Sequence, residues 1–263
     1  MIGPDHKRFS SVVEALKEKD YDKVRQLVDV AGTVDRVTNG AVRIENGIVY
    51  FEGVEMHNAI TRRMLQMVDM GLEVVPLMEF LERLQKNPSF KSREQLFGFL
   101  DACDLPILPD GRFLAYRSVT ATFFDSHTGK RSFNKPAKDM THAERVKYAQ
   151  PVTVEGVTTQ VINGETVVSM ERRDVNDNPN ETCSHGLHVC SQGYGQFSQV
   201  LLHVAVDPAD VVSVPTDYNQ AKMRVERFAV IEKVEGFQNW DDSPVYDQDT
   251  SDDTEGYPID YGW

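Results

Sequence analysis

The sequence changes character at residues 105–119, which read LPILPDGRFLAYRSV. Pro106, Pro109 and the Asp110-Gly111 pair interrupt the helical spacing upstream, because proline cannot continue a helix and Asp-Gly favours a turn. The following residues, Arg112–Val119, are typical of a strand with one arginine among apolar neighbours. The stretch therefore predicts a hinge-like boundary between a largely helical part, 1–104, and a β-rich part, 105–236.

Upstream of this boundary, residues 10–30 have the apolar spacing of two short helices. The turn pairs Asn39-Gly40 and Asn46-Gly47 then separate short β-rich runs, which is a strong hairpin signal. This pattern predicts a three-strand meander with strands at Thr33–Thr38, Ala41–Ile44 and Ile48–Phe51.

Helical spacing returns over residues 57–102. Gly71 suits the end of one helix, Pro76 the first turn of the next, and Asn87-Pro88 its end. Ser92 and Gln95 have the spacing of a capping box and predict the start of a further helix.

Downstream of the boundary the chain is rich in β-forming residues, and we expect an α+β protein overall. Residues 129–165 read as an insertion, within which Thr141 and Glu144 form another capping-box pattern. The expected strands are Arg112–Val119, Val152–Thr159, Thr166–Met170, Leu187–Ser191, Val200–Val206, Val211–Val214 and Met223–Val234.

Composition narrows the class of protein. A net charge of −13 opposes broad electrostatic binding to DNA or RNA, which needs clustered Lys and Arg. Three cysteines fit a reducing cytoplasm, and no signal peptide or membrane-spanning apolar run is visible. Residues 237–263 form an acidic tail punctuated by aromatic residues, which is either a solvated tail or a docking segment for a protein partner.

Arg117 is the first candidate for binding chemistry. A lone arginine on an apolar strand usually pairs with a buried carboxylate or extends to solvent. The functional alternative is an anion or phosphate site, which His127 and Arg172 could join if their loops converge.

A second candidate is the cluster Cys183, His185, His188 and Cys190, since all four side chains can bind zinc. Strand alternation places His188 and Cys190 on one face, and the other two would have to fold back across Gly186. A packed strand preceded by a polar turn is therefore favoured over a metal site. The oxygen-rich run Asp174–Asn180 suits calcium by composition, but Pro179 and His185 break the loop pattern and favour an Asx turn.

Several separated blocks in one order resemble the RIIB-like proteins of tailed bacteriophages, and the resemblance covers most of the chain. Two departures stand out: segment 130–165 is longer than the corresponding turn, and His185 occupies a permissive position. The matching blocks are Asn87-Pro88-Ser89, Leu96–Arg117, His127-Thr128-Gly129, Val168–Arg172, Asn178–Ser184, Gly186–Ser191, Pro208–Pro215, Asp217-Tyr218-Asn219 and Lys222–Val225.

The resemblance implies an early phage protein that acts in the infected bacterial cytoplasm on lysis timing or on host and prophage defence. It implies protein contacts, with an RIIA-like ATPase or a host defence protein as partner, and a position at the inner membrane only through that partner. It carries no established catalytic activity, so we expect no enzyme, no cofactor, no metal and no direct nucleic-acid contact.

A looser likeness concerns the layout of ADP-ribosyltransferase-like folds. On that alternative, Arg117, Ser191 and Glu226 would bind a nicotinamide or adenine nucleotide and stabilise a ribosyl cation. The wider set of binding candidates is Tyr116, Arg117, His127, Arg172, His188, Asp217 and Tyr218. Fold likeness alone is weak support for an activity.

Overall fold

A computed structural model provides the architecture. It describes residues 9–29, 31, 32, 35, 40, 42–46, 48–51, 53–56, 75–103, 106–181, 184–193, 199–215 and 221–236. The helices are α1 (Phe9–Lys17), α2 (Tyr21–Val28), α3 (Val75–Gln85), α4 (Phe90–Cys103) and α5 (His142–Tyr148). None of the described helices is long and apolar enough to cross a bilayer.

The two predicted N-terminal helices are present as α1 and α2. They pack against each other through a small apolar cluster of Val12, Ala15 and Leu27. The Asp20 side chain accepts a hydrogen bond from the Lys23 backbone N–H at 3.0 Å and so caps α2. A short capped pair of this kind can bury one apolar stripe on each helix.

The three-strand meander is present, with one strand displaced from its predicted place. It consists of β1 (Val42–Glu45), β2 (Ile48–Phe51) and β3 (Val54–Met56), paired in that order. The third strand is thus Val54–Met56, and most of the predicted strand Thr33–Thr38 lies outside the described residues. The helix predicted over residues 57–71 lies outside them as well.

A second, nine-stranded sheet dominates the described part of the chain. Its spatial order is β10-β11-β8-β4-β9-β12-β7-β6-β5, and its neighbours pair antiparallel. The fold is therefore α+β, as predicted. The strands are β4 (Phe113–Val119), β5 (Val152–Val154), β6 (Val157–Ile162), β7 (Glu165–Ser169), β8 (Leu187–Cys190), β9 (Val200–Val206), β10 (Val211–Ser213), β11 (Lys222–Val225) and β12 (Arg227–Lys233).

Two of the expected strands are each divided into two. The expected strand Val152–Thr159 turns at Glu155-Gly156, where both residues have positive φ, and its two halves pair as a hairpin. The expected strand Met223–Val234 is interrupted at Glu226, between β11 and β12. Neither break has an Asn-Gly pair or a proline, and the sequence pattern therefore predicted one continuous strand in each place.

Residues 106–114 form a tight bonded turn. The Leu108 N–H donates to the Arg112 carbonyl at 2.7 Å, and the Leu114 N–H donates to the Pro106 carbonyl at 2.8 Å. Gly111 has φ +79°, and a Cβ there would lie 2.4 Å from the Glu79 carbonyl carbon of α3. The turn is thereby held directly against a helix. Buried residues on both sides of the predicted boundary belong to one core cluster, and the division at residue 104 stays a prediction.

Helix α4 begins earlier than its predicted capping box. The helix starts at Phe90, and the Ser92 N–H bonds the Ser89 hydroxyl at 3.2 Å. The capping role predicted for Ser92 and Gln95 is therefore wrong. Ser92 donates its hydroxyl to the Val212 carbonyl at 2.6 Å, and Gln95 accepts from the Val214 N–H at 3.1 Å. These two side chains attach α4 to β10 and to Val214, which follows it.

The predicted insertion contributes to the large sheet. It supplies α5 with the predicted capping box of Thr141 and Glu144, and strands β5 and β6 at one edge. Phe133, Met140 and Tyr148 form a separate small core there, with the Phe133 and Tyr148 rings stacked 4.8 Å apart.

Candidate functional site

The described residues enclose a cavity of about 460 Å³ where β4, β8 and β11 meet the loop that follows β4. Three of the binding candidates, Arg117, His127 and His188, line it together with His185 and Cys190 of the zinc hypothesis. Its other lining residues are Ser118, Asp125, Ser126, Arg131, Ser184, His185, Gly186, Val189, Cys190 and Lys222. The loops thus converge as the anion-site hypothesis required for His127.

Arg117 is buried, with 9% of its surface exposed, in line with the core-facing residues of β4. Its Nη1 donates to the His188 carbonyl at 2.6 Å, and its guanidinium lies 5.6 Å above the Phe228 ring. Its Nε is buried and has no hydrogen-bond partner among the described residues. Burial lowers the pKa of Arg117, and the nearby charge of Asp125 partly opposes this. The expected buried carboxylate partner does not contact it: no ion pair joins Arg117 to an acid among the described residues.

The loop after β4 is built around Asp125. One carboxylate oxygen accepts from the Thr128 N–H at 2.7 Å, and the other accepts from the Thr128 hydroxyl and the Arg131 N–H at 2.7 and 2.9 Å. These bonds lower the pKa of Asp125 although burial opposes them. The loop turns Arg131 back toward β8, where its Nη2 donates to the Gly186 carbonyl at 3.3 Å. The Arg131 Nε is also buried without a partner.

The electrostatic environment of the cavity is positive. Burial, and then the charges of Arg117, Arg224, Lys222 and Arg131 in that order, together lower the pKa of His188 to about 3. Lys222 is 5% exposed and lines the same cavity. His188 is therefore neutral near pH 7, and the nearby charges that act on it are positive.

The run Asp174–Asn180 folds around Arg224. The guanidinium donates to the carbonyl oxygens of Asn176, Glu181 and Asn178 at 2.7, 2.6 and 2.5 Å. Asx turns, as predicted, bond the Asn178 N–H to Asn176 and the Asn180 N–H to Asn178. The carbonyl oxygens that calcium would use are thus bonded to a built-in cation, which disfavours a calcium site in this loop.

Three of the four candidate zinc ligands lie in the same positively charged cavity. His185, His188 and Cys190 line the cavity, while Cys183 lies outside the described residues. The Cys190 thiol donates to the Tyr116 carbonyl at 3.4 Å. No group of three His, Cys, Asp or Glu side chains in the described part of the chain is placed to hold a metal. The surrounding guanidinium and ammonium charges also oppose a dication at these side chains.

Arg172 and Glu226 lie in a different place and do not join the cavity. Arg172 Nη1 bonds Glu226 Oε1 at 3.0 Å, and its Nη2 bonds Asn87 Oδ1 and the Val211 carbonyl, each at 2.9 Å. The expectation that Arg172 could join Arg117 is therefore wrong, because this guanidinium links the residues after α3, strand β10 and the junction between β11 and β12.

The remaining candidates lie outside the cavity lining or outside the described residues. The Ser191 N–H bonds the Ala221 carbonyl at 2.8 Å, next to the pairing of β8 with β11. The Tyr116 ring lies edge-on to His203 with the centroids 5.1 Å apart, and burial raises its pKa. Asp217 and Tyr218 lie outside the described residues.

Sequence reasoning missed Arg131, Lys222 and Arg224. Arg131 lay in a stretch that read as a basic, solvated insertion. Lys222 and Arg224 alternate with apolar Met223 and Val225, and all four are buried in β11. A Lys-x-Arg alternation within a β-rich run of an acidic chain was the available signal, because buried cations need local partners.

Comparison with known proteins places these features in a family. The model of the family described as "Bacteriophage T4 protein rIIB" matches residues 13–140 and 138–242. The chain belongs to the rIIB family. Protein rIIB of Enterobacteria phage T4 is 34% identical over 233 residues, which are 87% of this chain and 65% of that relative. The chain thus spans less than two thirds of the length of the curated relative it matches. No solved structure matches this rIIB-family chain.

Proposed function

We propose that this rIIB-family protein is a phage accessory protein that modulates lysis timing or host and prophage defence by contacting other proteins. It works in the infected bacterial cytoplasm, without catalysis and without a resident cofactor or metal. The observation that carries the proposal is the family match over residues 13–140 and 138–242.

The placement of the transferase candidates favours a non-catalytic role. The alternative enzyme needs Arg117 and Glu226 in one site, but only Arg117 lines the cavity. Glu226 is bonded to Arg172, whose other bonds tie it to Asn87 and Val211. An acid that is already paired in a structural network is a poor stabiliser of a ribosyl cation.

The partner class follows from the resemblance to RIIB-like proteins. An RIIA-like ATPase or a host defence protein is the expected partner, and any position at the inner membrane is through that partner. Residues 237–263 carry no Lys or Arg and eight acidic residues, so this tail is the segment we assign to docking on a basic surface.

The test uses phage that lack this gene, complemented from a plasmid in the host. We expect the deletion to change lysis time or to reduce growth on a host carrying a defence prophage. The full chain should restore the phenotype. The double variant Arg172→Met with Glu226→Gln replaces the ion pair with uncharged side chains, and the folded variant should restore the phenotype as well.

Truncation after residue 236 tests the docking assignment. The shortened chain should fold, by circular dichroism, yet fail to restore lysis timing. A full-length variant whose tail acids are changed to the amides should fail in the same way. The functional proposal would be refuted if the deletion phage showed normal lysis time and also grew normally on the host that carries the defence prophage. Full activity of the shortened chain would refute only the role of the tail.

A further inference from the structure

We propose that the cavity bounded by Arg117, Arg131 and Lys222 binds a phosphate monoester of about mononucleotide size. This site goes beyond the proposed function and stands independently of which protein the chain contacts. The two guanidinium groups hold the phosphoryl group, and the rest of the cavity holds the organic part of the ligand.

Two guanidinium groups at the cavity, the buried Arg117 and the half-buried Arg131, have few acceptors among the described residues. Arginine presents five N–H donors, and Arg117 uses one of them, on the His188 carbonyl. The Arg131 guanidinium likewise uses one, on the Gly186 carbonyl at 3.3 Å. Both Nε atoms are buried without partners. Buried donors of a charged group are normally satisfied, and two such groups at one cavity indicate a missing acceptor.

The charges that line the cavity are mostly positive. Lys222 adds a third cation, while the acid in the lining is Asp125, whose oxygens already accept from the Thr128 N–H, the Thr128 hydroxyl and the Arg131 backbone N–H. The whole chain carries −13, so this concentration of positive charge runs against its average. Burying the Arg117 charge with no acid paired to it among the described residues costs free energy, which a bound anion would offset.

The shape of the donors and the size of the cavity indicate which class of anion fits. A phosphoryl group offers three oxygens, and it matches the planar forks of two guanidinium groups better than chloride or a single carboxylate does. Hydroxyl groups of Ser126 and Ser184 also line the cavity. The volume of about 460 Å³ exceeds the need of free phosphate and lies in the range of small-ligand sites. The imidazoles of His127 and His185 line the remaining space, where they can stack on a base or sugar.

Isothermal titration calorimetry on the full chain tests the site. The probes are adenosine 5′-monophosphate, ribose 5-phosphate, inorganic phosphate and adenosine, all at one ionic strength. We expect both monoesters to bind, inorganic phosphate to bind more weakly, and adenosine to give no heat. Arg131→Gln and Arg117→Met should each weaken binding by about tenfold or more, because each removes a charge-assisted contact.

Arg173→Gln is the matched control. Arg173 is exposed and lies outside this cavity, so losing its charge should change the affinity by less than about twofold. Arg117→Met also removes an unpaired buried charge, and its melting temperature should be equal to or above that of the natural chain. If that variant does not fold, the half-buried Arg131 alone decides the matter.

Three results would overturn the proposal. One is no binding by either monoester at millimolar concentration. Another is an equal loss in Arg131→Gln and Arg173→Gln, which would indicate general attraction to the surface. The third is adenosine binding as tightly as its monophosphate, which would mean that the cavity does not recognise the phosphoryl group.

Discussion

Arg117 and His188 are joined by a hydrogen bond of 2.6 Å from the guanidinium Nη1 to the backbone carbonyl. This bond lies where the large sheet is weakest, since β4 and β8 share a single registered pair, Tyr116 with Cys190. A side chain thus bridges two strands whose backbones pair only at one point. The same guanidinium gives the adjoining cavity positive charge, so one side chain contacts both strands and the cavity.

Gly111→Ala should strongly destabilise the protein. A Cβ at this position would lie 2.4 Å from the Glu79 carbonyl carbon and 2.6 Å from the Phe80 nitrogen, and φ is +79°. We expect a loss of about 3 kcal/mol or more in the free energy of unfolding, measured in urea.

Gly156→Ala is the control for backbone strain alone. Gly156 also has φ +79°, but nothing lies within 4 Å of its added Cβ. It should cost about 1–2 kcal/mol. Equal losses in the two variants would contradict the close packing of the 106–114 turn on α3.

Arg224→Met should unfold the loop that contains Asn176, Asn178 and Glu181. The substitution removes donors to three carbonyl oxygens in a residue that is fully buried. Leaving such acceptors unpaired costs about 3 kcal/mol or more in total. Urea unfolding measures the global loss, and limited proteolysis should cut the chain within 176–181.

Lysine cannot replace this fork, because an ammonium group cannot reach three carbonyls in one plane. Arg224→Lys should therefore recover little of the stability. The exposed Arg173, changed to Met, should leave both measurements unaltered. Proteolytic resistance of Arg224→Met would show that the loop is held by its Asx turns alone.

The strands were predictable wherever the signal was local. The pattern of Phe113–Val119 specified β4, and the Thr141–Glu144 capping box specified the start of α5. Ser92 and Gln95 have the same spacing as a capping box, yet their polar atoms bond β10. Only the tertiary position of β10 distinguishes these outcomes, and a local pattern does not contain it.

The candidate cavity was predictable in part for the same reason. Arg117 and His127 were named as anion ligands and His188 as a binding candidate, and the structure brings the three together. Arg172 was named on equal grounds but is held by Asn87 and Glu226. Which cations share a cavity depends on strand order, since β8 lies beside β4 and β11 lies beside β8, although both are far from β4 in sequence. Chain order does not reveal that neighbourhood.

Asp210 should make the protein less stable as pH rises. The pKa of Asp210 is raised to about 7, mainly by burial and also by the nearby charges of Asp207 and Glu226, while the charge of Arg227 opposes them. Between about pH 4 and pH 7 the folded chain keeps a proton that the unfolded chain has released. The free energy of unfolding therefore falls through this window and stays lower above it.

Asp210→Asn removes this titration. The variant should match the natural chain near pH 4 and exceed it near pH 8, by up to a few kcal/mol, in urea midpoints measured across the range. Asp139→Asn, at an exposed position, should follow the natural chain throughout. A constant offset between Asp210→Asn and the natural chain at all pH values would contradict the assignment.

His188 should make the protein more sensitive to acid. Its pKa is lowered to about 3 by burial and then by the charges of Arg117, Arg224, Lys222 and Arg131, against 6.5 for an ordinary histidine. Between those two pH values the unfolded chain binds a proton on this imidazole and the folded chain does not. This contribution to stability is complete above pH 6.5 and is lost progressively as pH falls toward 3.

His188→Gln should therefore flatten the decline in urea midpoint between pH 6.5 and pH 4, because glutamine does not titrate. The exposed His142, changed to Gln, provides the matched control and should leave the decline unchanged. The carboxylates that also titrate in this window are common to all three proteins and cancel in the comparison. Parallel curves for His188→Gln and the natural chain would mean that the positive field of the cavity does not act on this imidazole.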